Sequence, residues 1–140
     1  MKKTLILPLT GLVIVSTIIH GRILDVSSEK EYEAIINQQR PTLVKFAANW
    51  CGVCNRVKTA FQELSDDSEL QGVNFVQVDI DKAPELRKKN GIVGVPSFIF
   101  VQGNAHLKES VGVKNLKSFK DDLRNDIRTV FDLSGSESDA

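Results

Sequence analysis

Phe46-Ala47-Ala48-Asn49-Trp50-Cys51-Gly52-Val53-Cys54 is the end of an apolar strand running through a tryptophan into a two-cysteine turn, and it holds both cysteines of the 140-residue chain. Two thiols separated by two residues can close a small disulfide ring at the first turn of a helix, because that geometry brings the sulfurs together with little backbone movement. The next residues supply such a helix. Val57, Ala60, Phe61 and Leu64 recur at helical spacing, while Asn55, Arg56, Lys58, Gln62 and Glu63 are left for the wet side. A first thiol placed there faces unpaired N–H groups and the positive end of the helix dipole, which favours a thiolate.

Outward from this turn, strands and helices alternate. Arg22 to Val26 is a short strand, and Ser28 with Glu31 has the form of a capping box that opens a helix over about Glu29 to Gln38. Leu43 to Ala47 is a nearly continuous apolar strand of the kind covered on both faces, and Val73 to Ile80 is a second, rich in β-branched and aromatic residues. Ala83 to Lys89 forms a short helix that Asn90-Gly91 stops. Pro96 to Val101, a turn at Gln102-Gly103-Asn104, and Ala105 to Val111 read as a β-hairpin. Leu116, Phe119, Leu123, Ile127 and Val130 or Phe131 then place a last amphipathic helix over about Leu116 to Phe131. The predicted order is βαβαβαββα, an α/β domain over 22–131 with a mixed central sheet, followed by a tail, 132–140, too poor in apolar surface to stay ordered.

With 41% hydrophobic and 26% charged residues and a formal charge of zero, the chain has the composition of one globular domain. Its Lys and Arg are spread along the sequence, so no nucleic-acid footprint is expected. The N-terminal stretch, 1–21, differs from the rest. Met1-Lys2-Lys3 precedes an uncharged run, Thr4 to Ile19, bounded by His20-Gly21-Arg22. Such a run reads as a cleaved signal peptide or an uncleaved anchor through residues 4–19, with a buried core helix as the third reading. Its length falls between the usual signal core and the roughly 20 residues that cross a bilayer. The positive-inside bias puts the domain outside the cytoplasm, in a periplasm or on the outer face of the cytoplasmic membrane, anchored or secreted. Leu7-Pro8-Leu9-Thr10-Gly11 resembles a cell-wall sorting signal, but such signals act near a C-terminus.

Trp50-Cys51-Gly52-Val53-Cys54 resembles the Trp-Cys-Gly-Xaa-Cys active site of the thioredoxin family, and Gly94-Val95-Pro96-Ser97 is similar to that family's cis-proline loop. The likeness runs from about Arg22 to Arg128 and implies the thioredoxin fold and thiol–disulfide exchange with cysteine-containing protein substrates. It also implies roles. Cys51 is the attacking thiol, and Cys54, deeper and one turn on, resolves the mixed disulfide. Trp50, Gly52, Val53, Val95 and Pro96 form the substrate-binding surface. The redox-active disulfide is the only cofactor expected. No flavin or nicotinamide fingerprint is found in the sequence, so electrons are expected from a separate protein redox partner.

Four positions depart from the family pattern: Val53 stands where a proline is common between the cysteines, Ala47 where an aromatic is frequent, and the other two bear on proton transfer. Thioredoxins carry a buried acid six residues ahead of the first cysteine, which passes the proton of the resolving thiol, commonly with a lysine on the neighbouring strand; here Lys45 and Gln77 stand at those positions. Lys45 either snorkels to the surface or stays near the sulfurs, where its charge would favour thiolates and modulate their pKa. Other readings of the cysteines remain open: a purely structural disulfide, a zinc site for which only His20 and His106 could add nitrogen ligands, so that no metal is expected, and a copper-handling pair. The alternative function is a non-enzymatic chaperone or assembly factor that holds extended chains at the Val95-Pro96 groove.

Overall fold

The computed structural model describes residues 21–133. The expectations for the segment up to His20 and for the tail from residue 134 on fall outside these residues. Among them, no helix is long and apolar enough to cross a membrane.

Five strands form one sheet in the order β1-β3-β2-β4-β5. β1 (Ile23–Val26) and β2 (Pro41–Ala47) flank β3 (Asn74–Asp79) in parallel; β4 (Ser97–Gln102) runs antiparallel to β2, and β5 (Ala105–Val111) antiparallel to β4. β2 is central, and its buried run Thr42 to Phe46 shows why it reads as continuous rather than alternating: both of its faces are covered. On one face Val44, Phe46, Val76, Val78 and Ile99 pack with Tyr32 of α1 (Glu29–Ile36) and Leu86 of α4 (Pro84–Lys89). On the other, Leu43, Phe75, Phe98 and Phe100 meet Phe61 and Leu64 of α3 (Lys58–Ser65) and Phe119, Leu123 and Ile127 of α5 (Phe119–Val130).

The expected element order is observed, with local differences. The helix after the cysteines is two helices, α2 (Gly52–Arg56) and α3, joined at Val57, whose side chain is buried in the α3/α5 core. α1 opens on Ser28, whose Oγ accepts the Glu31 N–H, while the Glu31 carboxylate reaches one residue further back than a capping box requires, to the Ser27 N–H. It ends at Ile36 rather than Gln38, because Gln39 turns to a positive φ of 60°. α5 begins at Phe119 rather than Leu116. Asn115 Oδ1 accepts the Lys117 N–H at 2.9 Å and holds a turn there, leaving Leu116 exposed.

Candidate active site

The turn after β2 delivers Cys51 to the start of α2. Its Sγ caps the helix, accepting the Cys54 N–H at 3.2 Å, and the two sulfurs are joined in a disulfide with Cα atoms 5.2 Å apart. The loop before β4 closes the other side: Cys51 Sγ lies 3.7 Å from the Val95 carbonyl oxygen, and the Val95–Pro96 peptide is cis. Ser97 Oγ, donating to Gly94 O at 2.6 Å, and the Gly112 N–H, donating to Pro96 O at 2.7 Å, fasten this loop. Cys51, Cys54, Val95 and Pro96, expected to meet, are therefore brought together.

Cys51 was expected to be the exposed member of the pair, but it keeps only 7% of its surface, against 4% for Cys54. The predicted order holds with a small margin, because the Val95 loop roofs the first sulfur. What stands open is the rim. Gly52 is exposed with nothing near the place a Cβ would occupy, Val53 and Val95 are half-buried, and Val93 and Trp50 are strongly exposed. Trp50 does not fold inward: it is 69% exposed, and its indole N–H donates to Asp81 Oδ2 at 2.9 Å.

Lys45 does not snorkel to the surface. Only 2% of it is exposed, and its Nζ sits 4.5 Å from the centre of the Phe61 ring. The strand register explains the position: Lys45 stands opposite Gln77 on β3, which stands opposite Asp25 on β1, so a polar row crosses the α3 face of the sheet. Gln77 Nε2 donates to Asp25 Oδ1 at 3.2 Å, whereas Lys45 has no hydrogen bond or ion pair among the described residues. Burial, then the Lys58 charge, lowers its pKa to about 8 against the opposing pull of Asp25. Lys45 opens onto a small cleft with about 70 Å³ of room for water, which also takes in Cys54, Lys58, Asn55, Gln77 and Asp79.

Sequence reasoning missed Asp81, Lys58 and Asp79. The strand register, had it been known, would have put Asp79 beside Ala47 at the same end of the sheet as the cysteines. Nothing local marks Asp81 as a partner for Trp50. Among the described residues no group of three His, Cys, Asp or Glu could hold a metal ion.

A sequence profile of the thioredoxin family matches residues 23–125. Mitochondrial thioredoxin-2 of Schizosaccharomyces pombe (strain 972 / ATCC 24843) is 33% identical over 95 residues, which cover 66% of this chain and 70% of that protein. A bifunctional thioredoxin reductase/thioredoxin of Mycobacterium leprae (strain TN) is 28% identical over 103 residues, 74% of this chain but 22% of that protein, so the chain spans less than a quarter of this relative. The crystal structure of thioredoxin from Trypanosoma brucei brucei matches with a TM-score of 0.67 at 26% identity, over 78% of this chain and 94% of that one.

Proposed function

The chain belongs to the thioredoxin family, and from that premise we propose that it is a thiol–disulfide oxidoreductase whose Cys51 exchanges disulfides with cysteine-containing proteins while Cys54 resolves the mixed disulfide. The observation that carries this is the closed Cys51–Cys54 pair at the start of α2, lying against the Val95 carbonyl. In the reductive direction, the Cys51 thiolate attacks a substrate disulfide and releases one substrate thiolate. Cys54 then attacks Cys51 Sγ, breaks the bond to the substrate and releases the second. The helix start favours the anion on Cys51: the Cys54 N–H already points at its sulfur. A bound chain would lie over Gly52, where no side chain blocks approach, between Trp50, Val53 and the Val95-Pro96 loop.

A separate protein would set the direction of electron flow by reducing or oxidising the pair. Met1-Lys2-Lys3 and the uncharged Thr4 to Ile19 run support a domain working outside the cytoplasm, anchored or released. Protease protection of spheroplasts tests that compartment, and a fully protected domain recovered with the cytosol would overturn it.

For the chemistry, the purified protein should reduce insulin with dithiothreitol as electron source, and it should take up a thiol label only after reduction. Either Cys51→Ser or Cys54→Ser with full activity would overturn the reading. Suppression of aggregation by the double Cys→Ser protein, without insulin reduction by the wild type, would favour the chaperone reading instead.

A further inference from the structure

Lys45 is a long cationic side chain buried on the central strand with no ion pair among the described residues, and it shares a water-sized cleft with Cys54. A buried charge is ordinarily paired. Here the sulfur that could carry the missing negative charge is tied up in the disulfide. We infer that Lys45 is the counter-ion of the Cys54 thiolate whenever the disulfide is open, a positioning residue for the resolving step. This rests on the exchange reading given above.

The charged groups around the cleft leave that role to Lys45. From α3, Lys58 adds a second positive charge from an exposed side chain; its field reaches Lys45, lowering that pKa, but it is more screened by water than the buried ammonium. From β1, Asp25 is already engaged by Gln77. From β3, Asp79 lines the cleft, with one carboxylate oxygen accepting the Asp81 N–H at 3.0 Å. The neighbour on β4 is Phe98, which carries no charge. With a pKa of about 8, Lys45 remains mostly charged at neutral pH and gains from an anion placed in the cleft.

The step balances without an outside oxidant. In the mixed disulfide the Cys54 thiol gives its proton to water in the cleft, and the resulting thiolate is held beside the Lys45 ammonium. It attacks Cys51 Sγ, a Cys51–Cys54 bond forms, the Cys51–substrate bond breaks, and the substrate sulfur leaves with the electron pair. The closed disulfide has no charge, so Lys45 returns to the unpaired state seen here. The cation therefore stabilises the open, reduced form relative to the closed one.

Two measurements test this. In the wild-type protein, the Lys45 side-chain carbon next to Nζ is followed by NMR across pH; it should titrate at higher pH when the pair is reduced than when it is oxidised, because coupled charges shift each other. In glutathione buffers, Lys45→Met should move the equilibrium at least tenfold toward the disulfide, which is about 30 mV for a two-electron couple. A Lys45 that titrates at one pH in both states, or a Lys45→Met protein that equilibrates as the wild type does, would overturn the inference. Failure of the wild type to exchange with glutathione at all would strike the exchange reading itself, whereas exchange indifferent to Lys45 strikes only this one.

Discussion

Trp50 and Asp81 are held together at the rim of the disulfide by one hydrogen bond, indole N–H to carboxylate, 2.9 Å long. Asp81 is itself set by a turn in which Asp79 Oδ1 accepts its N–H, so the end of β3 fixes the angle of the indole beside Cys51. An exposed aromatic on a turn would otherwise sample several rotamers, and ordering it on substrate binding costs affinity.

Replacing Asp81 by Ala should therefore act on substrate recognition more than on folding. The lost hydrogen bond is worth about 1 kcal/mol, or roughly fivefold in an equilibrium. We expect KM for a protein disulfide to rise by about that factor, with kcat little changed, and the emission of Trp50, the chain's single tryptophan, to shift. Asp81→Asn keeps an acceptor and should lie near wild type. Equal KM values for wild type and Asp81→Ala would show that the indole needs no support.

The buried ammonium of Lys45 sets a pH dependence of stability. Its folded-state pKa, about 8, lies below the ordinary value of 10.5. Below pH 8 both states carry the proton and the native state bears the full cost of burying it. Between pH 8 and 10.5 the native amine is neutral while the unfolded chain still binds the proton, so stability rises with pH. The whole effect is about 3 kcal/mol. Urea unfolding of the oxidised protein should then show Lys45→Met more stable than wild type at pH 7 by up to that amount, with the gap closing by pH 10.5. A constant gap across this range would mean that the difference is packing alone.

Most of the fold is legible in the sequence because one signal per element suffices. The hairpin strand Ala105–Val111 and the start of α1 at Glu29, after the Ser28 cap, emerge as expected, each marked by local turn or cap chemistry. The two-cysteine turn and the Val95-Pro96 loop were likewise legible as motifs. What could not be read is what depends on register. β2 is covered on both faces, so its residues carry no alternation to say that Lys45 points at Phe61, and the pairing of Lys45 with Gln77 and of Gln77 with Asp25 exists only once three strands align. The break at Val57 was hidden for a similar reason, since the apolar spacing of Val57, Phe61 and Leu64 continues across it.

Far from the cleft, Tyr32 ties α1 to the end of α4. Its hydroxyl donates to Asn90 Oδ1 at 3.1 Å, Asn90 Nδ2 donates to Leu86 O at 2.9 Å, and Lys89 bridges Glu29 and Glu33 on the helix surface. Tyr32→Phe should lower stability by about 1 kcal/mol, the net value of one hydrogen bond, in a way that salt does not alter. Lys89→Ala should cost less than that and lose its effect as ionic strength rises, since exposed pairs are screened. Thermal unfolding at low and high salt separates the two, and a salt-sensitive loss in Tyr32→Phe would show that the hydroxyl acts through Lys89 instead.

Among the described residues, Phe61 is the side chain in direct contact with the Lys45 ammonium, and its ring is wholly buried, edge-on to Phe75 at 5.4 Å and tilted against Phe98 at 6.2 Å. A cation over a desolvated aromatic face gains about 2 kcal/mol, which favours the charged amine. Phe61→Leu keeps an apolar side chain in the site and removes the ring, so the charged form loses the support of the aromatic face while the pull of Asp25 remains. We expect Lys45 in the oxidised protein to titrate lower than in wild type by about one pKa unit, somewhat less than the full 2 kcal/mol converts to, because water in the cleft replaces part of the interaction. The same variant should unfold more easily above pH 10.5, where the amine is neutral in both states and only the lost packing counts, by roughly 1 to 3 kcal/mol. Side-chain NMR of Lys45 and unfolding at high pH read these two effects separately. An unchanged Lys45 titration in Phe61→Leu would mean that the ring is a neighbour by packing only and that the water of the cleft solvates the ammonium.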